Sequence, residues 1–111
     1  MKISKEKFEE IVYKKFLKIP EKIREKIENL EIIIEDKEIP NLLGLYHGVP
    51  FPKRKTSYSL ILPDRIIIFK QTIERQCKTE EELENLIEKV LLHEIGHYLG
   101  LDEISLRKLN L

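Results

Sequence analysis

The sequence predicts an α+β fold in which helices at both ends of the chain enclose a small mixed or antiparallel sheet of about three strands. An apolar stripe at helical spacing opens the chain, β-branched runs fill its middle, and a long capped helical pattern lies near its end. No repeat, low-complexity segment or linker divides it, so residues 1–111 read as a single domain.

Each element has a local cause. Ser4 is a suitable N-cap for a first helix running to about Lys18, and Pro20 closes it. Phe8, Ile11, Val12, Phe16 and Ile19 supply its buried stripe, which reads as core packing rather than a partner-binding face. A short second helix follows from about Glu21 to Glu28, with Ile23, Ile27 and Leu30 facing inward. Glu31 to Asp36 is too short and too β-branched for a helix and reads as a strand. Gly44, Gly48, Pro50 and Pro52 break periodicity between Asn41 and Lys55, which reads as a long loop or a loose hairpin.

Tyr58 to Leu62 and Arg65 to Lys70 read as two strands joined by Pro63-Asp64, paired as an antiparallel hairpin. Gln71 to Gln76 is expected to form a helical turn. Thr79 and Glu82 then make a capping box for a helix that runs to Leu99, with acids in its first turn suiting the dipole. Gly100 supplies a left-handed C-terminal cap, and Asp102 can cap a last short helix carrying Ile104, Leu106 and Leu109.

Twenty basic residues balance twenty acidic ones, and the signs are interspersed, so neither nucleic acid nor an anionic membrane is an expected partner. With one cysteine, Cys77, and no secretory or transmembrane-length apolar run, the expected setting is cytoplasmic. Abundant Ile, Lys and Glu without Ala fit a thermophile source, although an AT-rich genome would leave a similar bias.

The chemistry concentrates in His93-Glu94-Ile95-Gly96-His97, an H-E-x-x-H motif inside the long helix. Residues at i and i+4 share one helix side, so both imidazoles can reach one ion. At about 100° per residue, Glu94 falls within the apolar arc formed by Leu83, Leu86, Ile87 and Val90. A lone buried carboxylate costs several kcal/mol or takes up a proton, so something polar is expected beside it. A water activated by a metal fits that place.

Catalytic zinc takes three protein ligands and keeps one position open. The third ligand should follow the turn at Gly100. Glu103 occupies the H-E-x-x-H-x-x-G-x-x-E slot and Asp102 falls one residue short. Asp102 is also the better N-cap, which favours Glu103 as the ligand. The expected site is therefore His93, His97 and Glu103 around one Zn2+ ion, with Glu94 as the catalytic base.

From Leu42 onward the chain resembles the small bacterial minimal zincins, metallopeptidases with H-E-x-x-H-x-x-G-x-x-D or a near variant. The matching segments are Leu43-Gly44-Leu45-Tyr46-His47-Gly48-Val49-Pro50, Leu62-Pro63-Asp64-Arg65-Ile66 and Leu92-His93-Glu94-Ile95-Gly96-His97-Tyr98-Leu99-Gly100. The resemblance implies zinc held by His93 and His97, and Glu94 as general base. The family's usual Asp maps to Glu103, which keeps the carboxylate and adds a methylene.

The expected reaction is hydrolysis of a peptide bond in a peptide or protein substrate held along a sheet edge, the strand near Tyr58 to Leu62 being a candidate. Tyr46, His47, Tyr58 and Arg65 are the candidate oxyanion donors, and Arg65 could instead pair with Asp64 or Glu103. A catalytically inactive, zinc-stabilised binding module is the alternative, with His47 as its only remaining imidazole. A metal-dependent endoribonuclease shares the His93-to-Asp102 spacing, but Glu94, Glu103 and the lack of a basic patch count against it.

Overall fold

The computed structural model describes residues 1–48 and 63–108. Helix α1 spans Lys5–Leu17 and begins where expected, with the Ser4 hydroxyl accepting from the Lys7 amide at 3.1 Å. Its buried face carries Phe8, Ile11 and Val12 and packs against the long helix α4, Glu80–Tyr98. Lys7, Lys14 and Lys15 flank that packing and pair with Glu80, Glu84 and Glu88 at 3.2–3.3 Å. These mostly exposed pairs fix register more than stability, since each contributes about 1 kcal/mol or less.

Helix α2 is shorter than its apolar spacing suggests. It covers Glu21–Arg24, and tight turns then carry the chain through Ile27. Ile23, Ile27 and Leu30 still pack against the core. The turn ends at Asn29, whose positive φ of 51° suits asparagine's tolerance of the left-handed region.

Strands β1 (Leu30–Glu35), β2 (Gly44–His47) and β3 (Asp64–Phe69) form a three-stranded sheet in the order β1-β3-β2. β1 runs parallel to β3, with Leu30 opposite Asp64 and Glu35 opposite Phe69. β2 runs antiparallel to β3, with Gly44 opposite Ile68 and His47 opposite Arg65. The mixed sheet flanked by helices agrees with the fold class read from the sequence. Ile66 and Ile68, on the central strand, are fully buried in the same core cluster as Leu83, Ile87 and Leu91 of α4.

Two details of the sheet differ from the sequence reading. The segment beginning at Asn41, which reads as a long loop or a loose hairpin, contributes the strand Gly44–His47, and this strand pairs with β3. Glycine there reads as a breaker, yet the strand needs it: a Cβ on Gly44 would fall 2.7 Å from Val90 Cγ1 and 3.3 Å from Glu94 Cγ. Lys70 belongs to helix α3 (Lys70–Arg75) rather than to a strand, and its ammonium forms a buried ion pair with Glu74 at 3.0 Å. The expected strand at Tyr58 to Leu62, and its hairpin, lie outside the described residues.

No helix among the described residues is long and apolar enough to cross a membrane.

Candidate metal centre

α4 is anchored at both ends. At its start the Thr79 hydroxyl accepts from the Glu82 amide at 3.1 Å, and the Glu82 carboxylate accepts from the Thr79 amide at 3.2 Å. At its end Gly100 adopts φ 93°, its amide donates to the His97 carbonyl, and the Leu101 amide donates to the Gly96 carbonyl, both at 2.9 Å. This pair of bonds is a Schellman cap, the glycine-dependent turn that reverses the chain.

The reversal brings helix α5 (Glu103–Lys108) back against the last turn of α4. Leu106 is fully buried there, while Ile104, on the same helix, is 65% exposed. The Glu103 carboxylate consequently meets both imidazoles: its Oε1 lies 2.8 Å from His97 Nε2 and 3.1 Å from His93 Nε2. The two rings stand edge to face, their centroids 4.9 Å apart. One donor atom from each of His93, His97 and Glu103 lies within 4.8 Å of the others. Asp102 points elsewhere, its Oδ1 accepting from the Ser105 amide at 2.8 Å as the N-cap of α5.

The donor chemistry of this triad fits a divalent ion. His97 Nδ1 lies 3.0 Å from the Leu101 carbonyl oxygen, which can only accept, so Nδ1 carries the proton. In a neutral ring, Nε2 then turns a lone pair toward the Glu103 oxygen, another acceptor. A proton or a cation must lie between them. Tetrahedral zinc with bonds of about 2.0–2.2 Å holds its ligand atoms roughly 3.3 Å apart. The two Glu103–histidine spacings, 2.8 and 3.1 Å, are a little under that figure, and all three donors lie within 4.8 Å of one another, so small side-chain shifts would admit an ion. The Leu101 carbonyl fixes ring and tautomer as outer partners of metal-bound histidines do.

The profile of a family described as zincin-like metallopeptidases matches residues 21–111. The chain belongs to this family. Two solved chains are similar in structure. One is a conserved hypothetical protein from Thermus thermophilus, with a TM-score of 0.60 and 22% identity over 86% of this chain and 94% of that one. At that identity the likeness speaks for the fold alone. No curated protein matches the chain.

In this zincin-like chain Glu94 lies where its place on the helix wheel implies. It is 7% exposed and borders a cleft of about 820 Å³ that also reaches His93, His97 and Glu103. Burial pushes its carboxyl above the ordinary range, the nearby imidazoles and the Tyr46 backbone oppose that shift, and Glu103 adds to it. Glu103, more than half exposed, is held below the ordinary range by its bonds to His97 and His93. Leu43, Leu86, Val90 and Leu101 give the cleft apolar walls, and β2 forms one side.

The other candidates are spread out. The Tyr46 hydroxyl donates to Asp64 Oδ2 at 2.5 Å, and the ring packs edge-on to Tyr98 at 6.0 Å. His47 is exposed at the end of β2 and is not part of the histidine–glutamate cluster. Arg65 pairs with Glu31 across the β1–β3 register at 3.6 Å, not with Asp64 or Glu103. Tyr58 lies outside the described residues.

Sequence reasoning missed three positioning features. Gly44 lets β2 approach Glu94, Gly96 lets α5 approach α4, and Tyr98 ties the end of α4 to the turn before β1. The Tyr98 hydroxyl accepts from the Glu28 amide at 2.8 Å and donates to the Glu28 carbonyl at 2.7 Å. A glycine in the interior of a long helix was the one available signal, because such a residue costs helix stability unless packing requires it.

Proposed function

We propose that this chain is a zinc-dependent metallopeptidase that hydrolyses peptide bonds with an activated water and Glu94 as general base. The observation that carries the reading is the meeting of three donors from two helices at one end of a cleft, with a buried carboxylate alongside. His93, His97 and Glu103 would hold one zinc ion. Bound zinc supplies Lewis acidity for the scissile carbonyl and brings the pKa of a water toward about 7.

The chain's own residues account for the remaining roles. Glu94 takes a proton from the attacking water at a carboxylate oxygen and returns it to the leaving amine. Its burial favours the protonated form, which suits a base that must hold the proton until the C–N bond breaks. β2 lines the cleft through Gly44, Leu45 and Tyr46, so a peptide extended beside it passes Glu94. The apolar walls at Leu43, Leu86 and Val90 favour substrates with apolar side chains next to the scissile bond. The absence of any membrane-length helix among the described residues and the buried thiol of Cys77 are in keeping with a cytoplasmic setting.

Three protein donors among the described residues, beside a cleft, support an open, catalytic zinc site over a closed structural one, which uses four. The test has two parts. Elemental analysis of protein purified without chelator should give about one zinc per chain. Glu94→Gln should retain that zinc while losing hydrolysis of a peptide library. Equal turnover by both proteins would rule out Glu94 as the base.

A further inference from the structure

Gly96 and Leu106 meet at the point where α5 crosses α4. A Cβ added to Gly96 would fall 2.4 Å from Leu106 Cδ2, so the missing side chain is the hole that Leu106 fills. Among residues 103–108, Leu106 is the only buried one. Six residues are too few for a helix to persist by its own hydrogen bonds. α5 therefore depends on its attachments, which among the described residues are the Schellman turn, the Asp102 cap, the Glu103 contacts to His93 and His97, and this one buried side chain. Glu103 precedes Leu106 by three residues, a spacing that puts both side chains on the same helix face. Seating Leu106 under Gly96 thus brings Glu103 to His93 and His97.

We infer that Gly96 and Leu106 form a latch that positions Glu103, and that docking of α5 and binding of the metal are a single linked equilibrium. The inference rests on the metal-site reading above. Neither residue touches the ion or the substrate; both act through the placement of α5. With the latch closed, the third donor is already in place when the ion arrives. With the latch forced open, the two histidines must bind the ion without Glu103. Linkage is reciprocal, so zinc should also hold α5 down.

The experiment compares wild type, Gly96→Ala, Leu106→Ala, Leu106→Met and the Gly96→Ala/Leu106→Ala double variant. Zinc affinity is measured by chelator competition, melting temperature is measured on the metal-free proteins, and proteolysis between Gly100 and Lys108 is followed with and without zinc. Gly96→Ala should weaken zinc binding about tenfold or more, while the metal-free protein melts only slightly lower, because Ala is the better helix former and that gain partly offsets the crowding of Leu106. Leu106→Met should bind zinc nearly as wild type does. In the Leu106→Ala background the added methyl has room, so Gly96→Ala should cost little further affinity. Zinc should slow cleavage of α5 in wild type and much less in Gly96→Ala.

Wild-type affinity in Gly96→Ala, strictly additive effects in the double variant, or cleavage of α5 indifferent to zinc would each overturn the latch. His93→Ala separates the two readings. If wild type binds zinc and His93→Ala does not, an unaffected Gly96→Ala disproves the latch alone. If wild type binds no zinc, both readings fall.

Discussion

The Leu101 carbonyl oxygen lies 3.0 Å from His97 Nδ1 and so leaves Nε2 as the ring nitrogen that can hold a metal. The carbonyl is aimed by backbone alone. Gly100, at φ 93°, lets the chain reverse within two residues of α4. Gly100→Ala puts a Cβ into a conformation that L-residues adopt at a cost of about 1 kcal/mol or more. The variant should lower thermal stability by that amount and weaken zinc binding by about tenfold, through a misaimed His97. Chelator competition and differential scanning calorimetry on one preparation measure both. Unchanged affinity with reduced stability would mean that Leu101 does not orient the ring.

Glu94 gives a pH-dependent test that does not require a substrate. Its carboxyl is raised mainly by burial, so ionising it opposes folding. A folded-state value above the unfolded one contributes stability that is complete below the unfolded pKa of about 4.3. That stability is lost as pH rises through the folded value. Glu94→Gln removes the titration. In chelator-treated protein the variant should melt higher than wild type at neutral pH, and the gap should close toward about pH 4. The same variant should lose roughly 100- to 10,000-fold in turnover, the usual contribution of a general base. A gap that widens on acidification would contradict the assigned direction.

Gly44→Ala tests whether β2 must lie close to α4. The new methyl would meet Val90 Cγ1 at 2.7 Å and Glu94 Cγ at 3.3 Å. Overpacking of this kind costs about 1–3 kcal/mol and here would push the base away from the cleft. Stability in urea and turnover should fall together, while zinc content stays at the wild-type level, because none of the three donors lies on β2. Loss of zinc in Gly44→Ala would show that β2 supports the metal triad as well as the base.

What could be read from the sequence was what neighbours within a few residues decide. The Ser4 cap, the Thr79–Glu82 box, the Gly100 turn and the one-turn spacing of His93 and His97 are all of this kind. The choice of Glu103 over Asp102 followed the same logic, since one side chain cannot both cap α5 and reach the histidines. Hidden features depended on partners distant in the chain. Nothing near Arg65 indicates that Glu31 lies beside it, because the parallel pairing of β1 with β3 brings together residues 34 apart. Gly44 reads as a turn signal in the sequence because its value lies in a close approach to Val90, which only the tertiary fold creates.

The last prediction concerns Tyr98, the residue just after His97. It is fully buried, and its hydroxyl makes two hydrogen bonds to the Glu28 backbone, so the end of α4 is tied to the entry of β1. Tyr98→Phe keeps the ring and its edge contact with Tyr46 but leaves the Glu28 amide and carbonyl without that partner. A hydrogen bond of this kind contributes about 0.5–1.5 kcal/mol, and because Glu28 is exposed, water can replace part of what is lost. Because β1 adjoins β3 and α4 rests on β3, the loss should appear as a lower global melting temperature, not as local fraying. Zinc affinity should change by less than about threefold, since His97 is held by Leu101 and Glu103, not by Tyr98. Hydrogen exchange would locate the effect. Faster exchange confined to α5 would place Tyr98 in the support of Glu103, whereas faster exchange across β1 and the end of α4 is the outcome this geometry requires.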